Sequence, residues 1–209
     1  KSRLRGKIYL ITLFIISISA SFFVVKNLSY NFLINTVLIG SALYLFFVTI
    51  RDFFSKEFKN ISQNLSHFGF SLLILSILFN NLFSNEIITN LKVGERFNNE
   101  KFQIVFKNLE KSEEKNYVTF KGYFTILESG KEDNLVPELR VYNQPNIITS
   151  EADIKTSLWS DKFMTMNIVQ NQEYFNIRYQ EKPFMIWIWF SVILISPPFE
   201  LPGDTRPFI

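Results

Sequence analysis

Apolar residues along this chain come first in blocks and then in alternation. Residues 8–25, 32–50 and 65–83 form three runs of 18 or 19 residues without a charged side chain. At 1.5 Å rise per residue each would make a helix of roughly 28 Å, close to the ~30 Å hydrocarbon core of a bilayer. The pattern therefore predicts three transmembrane helices within residues 1–83. A fourth apolar run, 184–195, follows Lys182-Pro183, a favourable helix start, and stops before Pro197-Pro198. Twelve residues reach only about 18 Å, too short to span. Residues 183–196 thus read as the start of a C-terminal transmembrane helix that is cut short. Residues 197–209, rich in Pro, read as an irregular tail of truncated, frameshifted or foreign origin.

Between these blocks, residues 84–182 change period. Phe102, Ile104 and Phe106 alternate with Gln103 and Val105, and Val118, Phe120, Phe124 and Ile126 alternate with Thr119, Lys121, Tyr123 and Thr125. Met164, Met166 and Ile168 repeat the pattern, as do Phe175, Ile177 and Tyr179. Period-two alternation marks half-buried strands. Six or seven short strands, with charged turns at 111–116 and 129–134, predict a small antiparallel sandwich or barrel. The fold class expected is a membrane protein, α plus β: three transmembrane helices, an external antiparallel β domain over 84–182, then a truncated fourth helix.

Charge orients the pattern. Four cations precede the first run, the loop 26–31 holds one, and the loop 51–59 holds three against two anions. Basic loops stay cytoplasmic. The N-terminus is expected inside and everything after Phe83 outside. Residues 1–83 carry a charge of +6 and residues 84–182 a charge of −2. The overall +3 is therefore a topology signal and not a nucleic-acid surface. The first run is longer than a signal-peptide core and lacks a clear cleavage site, so it reads as a retained helix. The chain has no cysteine, so the outer domain needs no disulfide and supplies no thiol chemistry.

His67 is the only histidine and falls inside the third run, in Leu65-Ser66-His67-Phe68-Gly69. An imidazole in hydrocarbon is costly and rare unless it pairs, titrates or binds a metal. Histidine is also the commonest ligand to haem iron. A hydrogen bond to a neighbouring helix and an axial haem contact both remain open from position alone. Gly69 would let a flat ring approach the helix backbone, or let another helix pack closely. In the outer segment, Pro137-Glu138-Leu139-Arg140-Val141-Tyr142 puts Glu138, Arg140 and Tyr142 on one strand face, with Glu151 following after a turn. The expected role is a structural hydrogen-bond network, with partner docking as the alternative; Asn116-Tyr117 and Asp161 are expected to be structural too. With no second histidine, no Cys, no Gly-rich phosphate loop and no Ser/His/Asp set, a complete catalytic constellation is not expected in these residues.

The ordered set Leu65-Ser66-His67-Phe68-Gly69, Lys92-Val93-Gly94-Glu95, Asn116-Tyr117, the 137–142 hexapeptide, Ser150-Glu151-Ala152-Asp153-Ile154, Asp161 and Lys182-Pro183 before Trp187-Ile188-Trp189 resembles the C-terminal part of the CcmF family of cytochrome c biogenesis proteins. The resemblance covers residues 30–195. It implies a haem lyase subunit that takes haem from the CcmE haem chaperone and works with the CcmH and CcmI components. That subunit joins haem to the thiols of apocytochrome c outside the membrane. It also implies a haem b within the bilayer, proposed in the family to reduce the incoming haem iron. The family's Ala-His-Leu-Gly pattern reads Ser66-His67-Phe68-Gly69 here, so the resemblance makes His67 an axial ligand to haem iron. The family's tryptophan-rich segment, external histidines and second b-haem ligand have no counterpart in these residues. The chain therefore reads as a fragment or half of a split gene, inactive alone. The expected location is the bacterial inner membrane, multi-pass in the lipid bilayer, with the β domain periplasmic. The alternative class is a membrane-anchored external β domain with a scaffold or sensor role, in which His67 is purely structural. A cytochrome c assembly protein of the other maturation system is a third, lesser reading.

Overall fold

A computed structural model of the chain describes residues 2–26, 31–54, 61–128, 130–169 and 173–196, and the 197–209 tail lies outside the described residues. The described residues form two compact units, one from residues 2–83 and 184–196, the other from residues 84–183.

The helical unit holds α1 (Ser2–Val25), α2 (Phe32–Phe54), α3 (Ile61–Phe83) and α4 (Met185–Ile195). The first three are long and apolar enough to cross a membrane. These helices overrun the uncharged stretches, α1 at its start by six residues, α2 at its end by four and α3 at its start by four. Absence of charge marks the hydrocarbon limit, whereas backbone hydrogen bonding continues through residues of good helix propensity such as Arg51.

Small residues set how closely the helices approach one another. Ser17 and Ser21 of α1 are fully buried, and Thr36 and Gly40 of α2 are buried. The Ser21 hydroxyl donates to the Thr36 carbonyl at 2.8 Å. A Cβ on Gly40 would lie 3.0 Å from the Cα of Ile18, so this glycine is required for the α1–α2 approach. Next along, the hydroxyls of Thr49 on α2 and Ser71 on α3 pair at 3.0 Å, both buried.

The second unit is an antiparallel sandwich, as the alternation predicts. Its strands are β1 (Asn85–Leu91), β2 (Arg96–Asn98), β3 (Phe102–Glu113), β4 (Tyr117–Glu128), β5 (Lys131–Leu135), β6 (Glu138–Tyr142), β7 (Ile147–Glu151), β8 (Asp153–Thr156), β9 (Ser160–Ile168) and β10 (Phe175–Pro183). One sheet runs β1-β10-β9-β8; the other runs β2-β3-β4-β6-β7, with β5 also paired to β4. The described residues thus hold ten strands where six or seven are expected from periodicity. The charged stretch expected as a turn at 129–134 contains β5, Lys-Glu-Asp-Asn-Leu, pairing with 124–128. Likewise β3 runs on to Glu113, leaving only 114–116 as turn. Edge and solvated strand segments tolerate charge at nearly every position, so the two-residue period is lost there.

The core lies between the sheets: Phe102, Ile104, Phe106, Phe124, Ile126, Leu135 and Leu139 from one, Leu91, Met164, Met166, Ile177 and Tyr179 from the other. Phe106 and Phe124 stack with centroids 4.3 Å apart. A bulge between Phe106 and Asn108 shifts β3 by one residue, so that even positions face the core before it and Leu109 after it. Opposite Leu109, Gly122 is buried, and a Cβ there would lie 2.7 Å from the Phe124 ring and 2.8 Å from the Met166 sulfur. The absent side chain is filled by its neighbours' atoms.

Candidate functional site

α3 divides its circumference among three environments. Ser71, Leu72, Leu75 and Ser76 are buried, with Ser71 on α2, and Phe68 packs on Phe46 of α2 with centroids 5.5 Å apart. Gly69 is buried against α4: a Cβ would lie 2.7 Å from Leu194 Cβ and 3.1 Å from both Ile195 Cγ1 and the Ser191 carbonyl oxygen. The third face holds Gln63, His67, Phe70, Ile77 and Asn81, all exposed. These positions recur at three, four and seven residues, one stripe of an α-helix.

His67 therefore points away from both helices that pack on α3. Of the two explanations for Gly69, the geometry selects helix packing: the glycine lies half-way round the helix from His67 and is occupied by α4. The imidazole has no hydrogen bond to a described neighbouring helix, and no group of three His, Cys, Asp or Glu stands together among the described residues. What the face offers a haem is one imidazole with an apolar stripe beside it, Phe70 at 53% exposure and Ile77 at 49%. That suits one axial position and the hydrophobic surface of a macrocycle. A second imidazole is absent from the sequence.

On the outer face of the larger sheet, the Glu138–Arg140 cluster assembles as the alternation predicts. Leu139 is fully buried while its neighbours face out. Glu138 stands directly opposite Glu151, and Arg140 opposite Thr149. Two carboxylates face each other across the strands, and Arg140 bridges them, 3.1 Å from Glu138 and 4.0 Å from Glu151. Its guanidinium also lies over the Tyr117 ring at 5.4 Å. Hydrogen bonds to Glu138 and then Tyr142 outweigh partial burial and raise the Arg140 pKa. Lys121 adds a looser contact to Glu138 at 3.6 Å. The cluster is a charge-balanced patch, one quarter to under one half exposed.

A second ionic cluster went unseen in the sequence. Lys162 of β9 reaches across the sandwich to Glu128 at 2.5 Å and Asp133 at 2.9 Å, and Lys155 also pairs with Asp133. Burial works against the Lys162 charge, but the hydrogen bonds to Asp133 and Glu128 prevail and its pKa is raised. Hydrogen bonds from Lys155 and Lys162 lower that of Asp133. The Tyr179 hydroxyl nearby is buried without a hydrogen-bond partner, and burial first, then Glu181, Glu128 and Asp133, push its pKa up. The signal available was the concentration of acids at 128, 132 and 133, masked by their reading as a turn. This cluster ties the two sheets together; Asp161, beside Lys162 on β9, has its Oδ1 buried without a hydrogen-bond partner.

Residues 82–183 match the family model described as the CcmF C-terminal beta-sandwich. A solved structure of "Cytochrome c Heme Lyase CcmF" superposes with a TM-score of 0.64 at 15% identity, covering 88% of this chain and 33% of that one. The likeness is one of fold, and the present chain spans about a third of that structure. Among curated protein sequences none matches.

Proposed function

We infer, for a chain that belongs to the CcmF family through its C-terminal beta-sandwich, that it serves cytochrome c biogenesis as part of a membrane haem lyase. The observation that carries this reading is the family match over the whole β unit. Three apolar helices of spanning length support a membrane location, and the cation asymmetry favours a cytoplasmic N-terminus with the β domain on the periplasmic side of a bacterial inner membrane. In this reading the complete lyase receives haem from CcmE, acts with CcmH and CcmI, and serves apocytochrome c. This chain's part is to present His67 and to display the β domain outside.

His67 is proposed as one axial ligand of a transmembrane haem b. Such a haem, when bound, supplies one-electron redox chemistry at the membrane. The chain's own contribution is an imidazole on a helix face that neither α2 nor α4 covers, held by a helix whose other faces are fixed by Ser71 and Gly69. Phe70 and Ile77 extend that face as apolar surface. The sequence holds no second histidine, so a bis-histidine site would take its other ligand from outside it, and this chain alone should hold haem weakly. The test is His67→Ala in the complete protein. Loss or a marked shift of the low-spin b-type spectrum, with a lower yield of covalent cytochrome c, is expected. Unchanged haem content and spectrum would return His67 to a packing role.

A further inference from the structure

Within the β unit the chain changes sheets between β7 and β8. β7 ends at Glu151 as the last strand of the larger sheet, and β8 begins at Asp153 as the last strand of the smaller one. Two strand edges therefore diverge at Ala152. β8 covers β9 only from Asp161 to Met164, so among the described residues β9 has no strand beside it on that side from Thr165 to Ile168. The Ser150 hydroxyl donates to the Met166 carbonyl at 2.7 Å and caps that edge. β7 pairs with β6 alone, and its other edge is open among the described residues.

The ladder fixes which groups this edge presents. Gly122 N–H donates to the Pro137 carbonyl at 3.0 Å and Asn143 N–H to the Asn116 carbonyl at 3.2 Å, so the odd residues of β6 bond to β4. Its even residues, Glu138, Arg140 and Tyr142, then bond to their partners Glu151, Thr149 and Ile147. Ile148 and Ser150 are left to point N–H and C=O groups outward. Their side chains lie on the inner face of the sheet. One cross-strand row there joins Lys111, Phe120, Leu139 and Ser150, and the next joins Glu113, Val118, Val141 and Ile148. Leu139 is fully buried, yet Ile148 is 56% exposed, and Ile168 at the end of β9 is 45% exposed. Ile168, Leu109, Phe120, Tyr174 and Phe175 line a recess of about 150 Å³.

Sheet edges are ordinarily blunted by brevity, charge or Pro. β2 is three residues long, β1 carries Glu86, and β8 carries Lys155. β7 reads Ile-Ile-Thr-Ser-Glu, with two adjacent exposed isoleucines and neither Lys nor Pro. What completes such an edge must carry donors and acceptors at the spacing of a strand, as a polypeptide backbone does. Charge narrows the occupant further. Lys111 pairs with Glu113 at 2.8 Å and Lys92 with Glu173 at 3.0 Å, so the charges beside the inner rows and the recess are already matched.

We propose that the open edge of β7 takes up an extended, uncharged segment of a partner polypeptide as an additional strand, bonded to Ile148 and Ser150 and laying its apolar alternate residues over the exposed inner row. The proposal concerns the β unit alone and does not rest on the haem reading. The probe is an end-blocked heptapeptide alternating threonine and valine, carrying a short polyethylene glycol chain and fluorescein. Its binding to the complete protein in detergent is read by fluorescence anisotropy. Ile148→Pro removes the outward donor at a position where an edge strand tolerates proline, and Ile148→Lys keeps the donor but charges the apolar row. Ile88→Lys, at an exposed isoleucine of β1 on the other sheet, is the control. Both Ile148 variants should melt as wild type and bind about tenfold more weakly or worse, with Ile88→Lys unchanged. Peptides N-methylated at alternate amides read the backbone directly: one alternate set should abolish binding and the complementary set should spare it. No saturable binding, or binding unaltered in both Ile148 variants, overturns the proposal. Methyl sets that act alike overturn it in favour of apolar adsorption. A dimer of the complete protein that dissociates in Ile148→Pro overturns it in favour of a second copy of this chain.

Discussion

Gly69 offers a direct discrimination between a helix contact and a cofactor contact. Replacing it with Ala puts a Cβ 2.7 Å from Leu194 Cβ and 3.1 Å from the Ser191 carbonyl oxygen. Ordinary carbon–carbon contact is about 3.5–4.0 Å, so the clash amounts to roughly 1 Å. Leu194 Cβ is anchored to the α4 backbone and cannot rotate away, so the helix itself must move. Overpacking of this kind costs about 1–3 kcal/mol. Helix propensity returns about 1 kcal/mol on going from Gly to Ala. The net expectation is a loss of ~0–2 kcal/mol for Gly69→Ala and more for Gly69→Leu. Because the clash is between two named atoms, a double-mutant cycle with Leu194→Gly should show favourable coupling: the second glycine relieves the first substitution. Thermal or detergent unfolding of the purified protein measures all four corners. The reasoning is refuted if Gly69→Ala leaves stability unchanged or raised, the cycle shows no coupling, and the haem spectrum of the complete protein shifts instead. That pattern would mean that the glycine makes room for a ring and not for α4.

Two further outcomes concern the sandwich. Arg140→Ala removes the bridge between facing carboxylates, but these groups are partly solvated. The expected loss is therefore about 1 kcal/mol, a drop of roughly 4–8 °C in melting by circular dichroism; wild-type melting together with complete loss of cytochrome c assembly would make the patch a docking site. For Asp133, whose pKa is lowered by Lys155 and Lys162, the stabilisation is present above the unfolded carboxylate value near 3.9 and is lost as pH falls through the lower folded value. The acid limb of the stability–pH curve should flatten in Asp133→Asn, and an unaltered limb would show that the pairs contribute nothing.

What was legible in the sequence follows from which residues had one environment. Phe102, Ile104, Phe106, Ile126 and Ile177 see core on one side of a strand and water on the other, so alternation announces them. The uncharged helices announce themselves by length. Strand β5 did not, because Lys131–Leu135 is solvated along nearly its whole length and only Leu135 is buried. Local pattern also missed the Lys162 cluster, whose partners stand 34 and 29 residues away in the chain. The Glu138–Arg140 face was readable because its members alternate on one strand, yet Glu151 joined it only through the β6–β7 register. Gly69 was ambiguous for a different reason: a glycine says that something comes close and never says what.

The same division of surfaces bears on His67. In a soluble helix an exposed histidine needs no account, but on a spanning helix the open face meets hydrocarbon or another protein segment. An imidazole brings two polar nitrogens into that setting, and hydrocarbon satisfies neither. α3 has placed Gly69, Ser71 and Ser76 on the sides buried within the helical unit, and left the one strong ligand on the side that is not. A histidine retained only for packing would be expected on the buried side, where a serine hydroxyl or backbone carbonyl could meet it, as Thr49 and Ser71 meet each other. Its placement opposite Gly69 instead asks for a group that arrives from outside the four helices and uses a nitrogen lone pair. Haem iron meets that requirement, and a hydrogen-bond donor on an additional helix meets it without colour. The visible spectrum of His67→Ala therefore decides between them, because only the iron reports the loss of its ligand in the Soret band.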